Sequence, residues 1–295
     1  MIGRVTSQTI ARSTLANLQT NLSSVAKLQA QLSSGKKVTK ASDDPVHAAQ
    51  LMSLRGQQTR NFQYERNVQD AKSWLSTIDS ALQTASTDLR RVRDLVIQGG
   101  NTSLPQVAKD ALATEIRELQ AGMLQTANTT FAGRAVFAGT SATGQAFDAS
   151  TYTWTGHDTA HVDRAVADAA QVRVDSNGRS VFGDGAGSLF ALLGQIATTL
   201  ESGGNPAPTY LDRIDGFSDT IRSELASVGA RQRTVEAATT RLSDAGLNLE
   251  TQVAGIEDID LAQVILQLQS QSVAYEASLG AAAKALSPSL MEFLS

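Results

Sequence analysis

Two histidines four residues apart, His157 and His161, are the residues of this chain whose types and spacing most resemble a metal site. Asp158 and Asp163 lie beside them, and imidazole nitrogens with a carboxylate are common zinc ligands. No third strong ligand follows at a typical spacing, so a polar surface loop explains the group better. We therefore expect no metal site and no cofactor.

Adjacent carboxylates at Asp43 and Asp44 have the residue types of an acid/base pair, but Pro45 follows them directly. A carboxylate before proline is typical of a helix start, because the side chain caps free backbone N–H groups and the proline lacks one. The sequence therefore predicts a helix cap formed by Ser42, Asp43, Asp44 and Pro45.

The glycine-rich run at 183–188 superficially resembles a phosphate-binding loop. It lacks the lysine of a P-loop, and no βαβ pattern surrounds it, so a flexible turn before a helix is the better interpretation. No nucleophile elbow, HExxH motif or kinase signature occurs elsewhere. We expect no catalytic residues and no enzymatic activity.

Composition excludes further classes of function. Hydrophobic residues make up 41% of the 295 residues but aromatic residues only 5%, which favours helix–helix packing by aliphatic side chains. The net charge of −4 and the lack of a basic, aromatic-rich patch argue against nucleic acid. No apolar run reaches the ~18 residues of a membrane helix. There is no cysteine, which excludes disulfides and thiolate metal sites.

The two ends of the chain carry opposite charge and similar apolar patterns. Residues 1–42 contain six bases and no acid, whereas residues 257–295 contain five acids and one base. Apolar spacing of three and four residues keeps one helix face towards a partner, so we predict paired terminal helices and an assembly seam. The seam positions are Leu15, Leu18, Leu22, Val25 and Leu32 in the first segment and Leu261, Ile265, Leu268, Tyr275, Leu279 and Leu286 in the last.

Long helices are predicted between these ends. Seam positions recur without a miss from Val68 to Val96, indicating a helix over about 46–98, and isoleucine, valine or leucine recurs every seventh residue from Ile214 to Ile256. Residues 131–186 are β-prone, and Ser176-Asn177-Gly178 predicts a hairpin turn between Val172–Val174 and Val181–Phe182.

The predicted fold class is mainly α with a small β-rich insert, in which a long antiparallel coiled-coil rod has paired N- and C-terminal segments. Residues 1–42 and 257–295 form the terminal helices, residues 43–140 and 205–256 the rod, and residues 141–204 the insert. We expect the terminal helices to be disordered in the monomer, because an amphipathic helix without a partner is marginal in water. Removal of about 145–203 is expected to leave the rod folded.

The segment Gln31–Val38, with a leucine–serine–serine–glycine turn, and the following Ala41–Pro45 resemble the flagellin superfamily. Ile256–Ala262 and Ser289–Leu294 resemble its shared ending. Pro45 after two aspartates is similar to the hook–filament junction proteins of that superfamily, since filament subunits usually have alanine there. Gly255 departs from the arginine that filament subunits commonly carry.

The resemblance implies a secreted structural protein of the bacterial flagellum, located at the hook–filament junction and required for filament attachment and motility. It implies export by the flagellar type III apparatus, with its chaperone and without a cleaved signal peptide. The implied partners are further copies in a ring, the other hook–filament junction protein and flagellin, with no nucleic acid and no membrane. Two alternatives stay open, a small filament flagellin and an unrelated coiled-coil scaffold protein of an organelle or the periplasm.

Overall fold

The structure, a computed structural model, describes residues 7–141 and 143–286. Most of these residues are helical, as the sequence predicts. The α-helices are α1 (Ser7–Ser34), α2 (Pro45–Gly99), α3 (Gln106–Ala127), α4 (Gly178–Phe182), α5 (Leu189–Glu201), α6 (Ala207–Glu257) and α7 (Leu261–Leu286).

The prediction of two long helices is confirmed by α2 and α6. Helix α2 begins at Pro45 and ends at Gly99, one residue beyond the predicted range at each end. Helix α6 covers the whole heptad series and continues to Glu257. Both helices follow from a repeat that places one apolar residue on the same face at every second turn.

The chain divides into two compact units. The terminal unit comprises the described residues up to Arg60 and from Ala245 onward, and the central unit comprises Asn61–Asp244. The two long helices contribute to both units.

The central unit contains one large hydrophobic core. Leu75 and Ile78 of α2, Ile116 of α3, Ile196 of α5 and Ile221 of α6 are fully buried and belong to the same cluster. Aromatic rings add to this core through edge-to-face contacts, which are a favourable arrangement for ring pairs. The contacting pairs are Phe137–Phe182, Phe147–Phe182 and Phe147–Phe190.

The β-structure of the central unit is limited to short antiparallel pairs among the described residues. Strands β1 (Thr130–Phe131) and β2 (Arg134–Ala135) form one pair, and β3 (Asp163–Ala167) and β4 (Ala170–Arg173) form the other. The side chain of Asn67 in α2 donates to the carbonyl oxygen of Ala165 over 2.9 Å, which attaches the second pair to the helix.

The predicted hairpin at Ser176-Asn177-Gly178 is wrong. The hairpin lies earlier in the chain and pairs β3 with β4. Val181 and Phe182 belong to helix α4, and the side chain of Asn177 accepts a hydrogen bond from the backbone N–H of Ser180. Asparagine favours both turns and helix N-caps, and here it caps a helix.

The predicted insert is not separate from the helical core. Helix α5 packs against α3, and its Leu192, Leu193 and Leu200 are fully buried in the cluster that also contains α2 and α6. Removal of residues 145–203 would expose this apolar surface, and retention of the remaining fold after that removal stays a prediction.

Candidate assembly site

The two terminal helices, α1 and α7, pack together in the terminal unit. Helices α1 and α7 contact each other along their length, and the amide of Asn21 bonds to both Gln271 (3.2 Å) and Ser278 (3.0 Å). The backbone N–H of Ile259 donates to the carbonyl oxygen of Gly35 over 3.1 Å, so the end of α1 lies beside the start of α7. The two helices are therefore antiparallel.

One face of each terminal helix makes this contact. Five predicted seam residues, Leu18, Val25, Leu32, Leu268 and Tyr275, are partly buried here. Val264 and Ala282 of α7 are buried at positions in line with them. Spacing of three and four residues produces this face, as the sequence indicates. The coiled-coil geometry of the pair remains a prediction.

The other described seam residues are exposed. Their side chains are 39–57% exposed. Leu286 is the last residue of α7, and its side chain lies outside the described residues. The exposed set consists of Leu15, Leu22, Leu261, Ile265 and Leu279.

These five residues share one side of the helix pair. On each helix they lie roughly a quarter turn around the helix axis from the residues that contact the partner helix, at 3.6 residues per turn. The direction of this rotation, seen along each helix from its N-terminus, is the same for both helices. Because α1 and α7 are antiparallel, the same rotation on both helices leads to the same side of the pair. We call this surface the outer face. It is an apolar surface whose five residues are exposed.

The predicted cap motif lies in the turn between α1 and α2. Asp44 Oδ1 accepts hydrogen bonds from the backbone N–H groups of Val46 (3.1 Å) and His47 (3.0 Å), while Pro45 is the first helical residue. The bond from the His47 backbone is the main cause that lowers the pKa of the Asp44 carboxyl. This is the geometry of an N-cap at the positive end of a helix.

The other members of the predicted cap do not touch the helix start. Asp43 Oδ2 accepts from Thr39 Oγ1 (2.9 Å) and the backbone N–H of Lys40 (3.0 Å). These bonds, with the Thr39 hydroxyl first, lower the pKa of Asp43. Asp43 therefore holds the preceding turn in shape, and Ser42 lies exposed in that turn.

Sequence reasoning missed one charged residue at this site. Glu257, at the end of α6, has a buried side chain that forms an ion pair with Lys36 Nζ. Arg55 Nη2 of α2 lies 2.8 Å from both carboxylate oxygens of Glu257. Burial alone would raise the pKa of Glu257, but hydrogen bonds and charges from Lys36 and Arg55 outweigh it and lower the pKa.

The remaining sequence candidates have structural roles. His161 Nδ1 lies 4.0 Å from Asp175 Oδ2, and the described residues contain no group of three or more histidines or acids that could hold a metal ion. In the glycine-rich run, Ser188 caps α5 by accepting from the backbone N–H of Ala191, and Asp184 accepts from the backbone N–H of Trp154. Across residues 7–141 and 143–286, none of the helices is long and apolar enough to cross a membrane.

Comparisons with known proteins match both ends of the chain. Residues 5–142 match the bacterial flagellin N-terminal helical region, and residues 211–294 match the bacterial flagellin C-terminal helical region. Together these two regions take in most of the chain, and they contain the helices α1 and α7 that build the outer face.

Two curated relatives extend over nearly the whole chain. Flagellar hook-associated protein 3 of Salmonella typhimurium is 25% identical and covers 93% of this chain and 94% of its own. A flagellin of Bacillus subtilis is 27% identical and covers 93% of each. The chain is thus similar to a hook-associated protein and to a flagellin at comparable identity.

Solved structures share the fold. Flagellar hook-associated protein 3 from Legionella pneumophila superposes with a TM-score of 0.61 at 17% identity, covering 70% of this chain and 98% of its own. FlgL of Bacillus cereus superposes with a TM-score of 0.60 at 23% identity, covering 68% and 99%. At these identities the likeness concerns the fold alone.

Proposed function

Because this chain belongs to the flagellin superfamily, we propose that it is a structural protein that joins the flagellar hook to the filament. The relative from Salmonella typhimurium is named for its association with the hook. Pro45 after the Asp43–Asp44 pair favours this role over that of a filament subunit. The protein acts through assembly, and its location is the extracellular hook–filament junction.

The observation that carries this proposal is the outer face of the terminal helix pair. Leu15 and Leu22 of α1 and Leu261, Ile265 and Leu279 of α7 expose apolar side chains on this face. Exposed apolar stripes of this kind mark protein–protein contacts. We propose that neighbouring copies in a ring cover the outer face, and that the ring contacts the other junction protein on one side and flagellin on the other.

Export precedes this assembly. We propose that the chain is delivered by the flagellar export apparatus with its chaperone, and that the outer face becomes covered only at the growing flagellum. Attachment of the filament and motility then depend on it. The family relationship supports this sequence of events.

The test is a charge on the outer face. Leu22→Asp and Leu279→Asp place a carboxylate in a contact that assembly would bury, at a cost of several kcal/mol when no partner compensates it. In a strain that carries either variant as its single copy, we expect loss of swimming and release of flagellin into the medium. The control is Thr20→Asp, because Thr20 is exposed on α1 away from the outer face.

Purified variants complete this test. Because Leu22 and Leu279 are exposed in the chain, circular dichroism should show the same helical signal as the unsubstituted protein. Normal swimming with Leu22→Asp and Leu279→Asp would contradict the proposal, as would equal loss of swimming with Thr20→Asp.

A second candidate function is that of a small filament subunit, which the 27% identity to the Bacillus subtilis flagellin over most of both chains favours. Salting-out conditions distinguish the two functions. A filament subunit polymerises into long filaments visible by electron microscopy. A junction protein remains monomeric or forms short complexes, which is the result we expect.

A further inference from the structure

Three chain segments of the terminal unit meet at the carboxylate of Glu257. Lys36 comes from the turn after α1, Arg55 from α2, and Glu257 from the last residue of α6. The Glu257 side chain is only 5% exposed, whereas the Lys36 and Arg55 side chains are about half exposed. The carboxylate is therefore the buried centre of this cluster, and the two cations cover it from the solvent side.

Backbone hydrogen bonds tie the same segments together. The N–H of Lys37 donates to the carbonyl oxygen of Glu257 over 2.6 Å, and the N–H of Ile259 donates to the carbonyl oxygen of Gly35 over 3.1 Å. These two bonds form an antiparallel bridge between Lys36 and Asp258. The segment leaving α1 and the segment entering α7 thus run side by side at the carboxylate.

Residues of the turn after α1 favour the formation of this bridge. Gly35 ends α1 with a φ of +70°, a conformation that glycine adopts without strain, and its N–H bonds back to the carbonyl oxygen of Gln31. The side chain of Gln31 donates to the carbonyl oxygen of Lys37 over 2.9 Å. The chain therefore turns sharply after α1 and presents Lys36 to Glu257.

A buried carboxylate is stable in its charged form only when cations and hydrogen bonds replace the lost water. Glu257 obtains these from two segments that are distant from it in sequence. If either cation moves away from Glu257, the carboxylate must be hydrated again. Opening of the backbone bridge between Lys36 and Asp258 would admit that water. The charge of Glu257 and the closure of the bridge are therefore coupled.

We propose that Glu257 is a positioning residue. Its ion pairs with Lys36 and Arg55 hold together the segment that joins α1 to α2 and the segment that joins α6 to α7. We call this contact the latch. The latch fixes the points at which α1 and α7 depart, and hence where the outer face begins. Its importance for assembly rests on the proposed function, but the latch itself is a property of the free chain.

The rate of trypsin cleavage measures how often the latch opens, because trypsin cleaves after lysine and the turn contains Lys36, Lys37 and Lys40. In the purified full-length monomer, Glu257→Gln keeps the shape of the side chain but removes its charge. We expect cleavage after these lysines to accelerate by roughly tenfold, since cleavage of a locally closed segment follows its opening equilibrium. Mass spectrometry of the peptides separates these cuts from cuts at Arg12 and Lys27.

Two further variants distinguish the latch from a general loss of packing. Lys36→Gln should accelerate cleavage after Lys37 and Lys40, whereas Lys36→Arg keeps the cation and should retain slow cleavage. Glu250→Gln is the matched control, because Glu250 is an exposed carboxylate on the same helix and should leave the rate unchanged.

The proposal is overturned if Glu257→Gln is cleaved at the rate of the unsubstituted chain, or if Glu250→Gln accelerates cleavage equally. It is also overturned if Lys36→Arg behaves like Lys36→Gln. Failure of the assembly tests with Leu22→Asp would leave these rates unaffected, since the experiment uses the monomer alone.

Discussion

Asp44 and Asp43 are adjacent carboxylates with different tasks at the start of α2. Asp44 accepts from two free N–H groups of the first helical turn, whereas Asp43 bonds to Thr39 and Lys40 in the preceding turn. Asp44→Ala should therefore destabilise the terminal unit, and Asp44→Asn much less, because asparagine is an equally good N-cap. Urea unfolding followed by circular dichroism measures the difference. Equal stability of the alanine and asparagine variants would contradict the capping role.

Glu257 gives the terminal unit a pH dependence whose sign follows from its lowered pKa. A carboxyl with a lowered pKa in the folded state stabilises that state above the unfolded pKa, near the ordinary value of 4.5. This stabilisation is lost as the pH falls through the folded pKa. Lys36 and Arg55 are the charged side chains that face Glu257.

The measurable consequence is the protection of two backbone amides, those of Lys37 and Ile259, which close the bridge. Their hydrogen-exchange protection factors, corrected for the intrinsic pH dependence, should fall between pH 7 and pH 3. In Glu257→Gln the same factors should be lower at pH 7 and should not change across this range. A pH dependence that persists in Glu257→Gln would assign the effect to another group.

These residues show where sequence reasoning reaches its limit. The cap at Asp44 was predictable because donor and acceptor lie two and three positions apart in the chain. The ion pair of Glu257 with Arg55 joins positions 202 apart, and nothing in the local sequence indicates it. Charge asymmetry between the ends of the chain predicted attraction, but not which acid would meet which base.

For the helices, the apolar periodicity of the sequence predicted where each helix lies better than which face of it contacts a partner. The heptad stripes of α1 and α7 mark an apolar surface wide enough for two contacts, and the sequence alone does not say which residues face the partner helix. Leu18 and Leu268 lie towards the partner, whereas Leu22 and Leu279 lie on the outer face. The misplaced hairpin has a related cause, since asparagine before glycine favours a turn and a helix cap alike.

Two glycines in helices of the central unit give opposite expectations for the same substitution. A Cβ at Gly99 would lie 2.5 Å from Leu200 Cδ2, where the end of α2 meets α5. Because Leu200 is fully buried and has little room to move, Gly99→Ala should destabilise the central unit by about 1–3 kcal/mol. A Cβ at Gly122 in α3 would meet nothing within 4 Å, so Gly122→Ala should stabilise it by about 0.5–1 kcal/mol.

Thermal unfolding by calorimetry measures both substitutions in the same unit of the molecule. A stabilising Gly99→Ala would show that α5 does not pack against the end of α2 as the structure describes. A destabilising Gly122→Ala would show that this stretch of α3 has a close neighbour.

The whole chain distributes its buried apolar residues unevenly. The central unit contains the large cluster that extends from Val68 to Leu242. In the described part of the terminal unit the buried apolar residues are Leu51, Val264 and Ala282. Sequence reasoning expected a continuous helical rod with a detachable insert. It could not show that α5 completes the central core, because this packing depends on residues far apart in the chain.

This distribution predicts two levels of stability in one monomer. A unit with a large apolar core opens only with its global unfolding, whereas helices with few buried contacts open locally. In the free monomer, backbone amides of α2, α3 and α6 within the central unit should exchange slowly. Those of α1 and α7 should exchange orders of magnitude faster, because these helices have few buried apolar contacts.

Leu193→Ala tests whether the two units differ in stability, because Leu193 is fully buried in the core of the central unit. Loss of such a side chain costs about 2–5 kcal/mol. The variant should accelerate the slow amides of the central unit by the corresponding factor and leave the fast amides of α1 and α7 unchanged, as measured by hydrogen exchange with mass spectrometry. Equal protection of both units in the unsubstituted monomer would show that the terminal pair is already stable alone. Assembly would then add contacts to the outer face without ordering the helices that carry it.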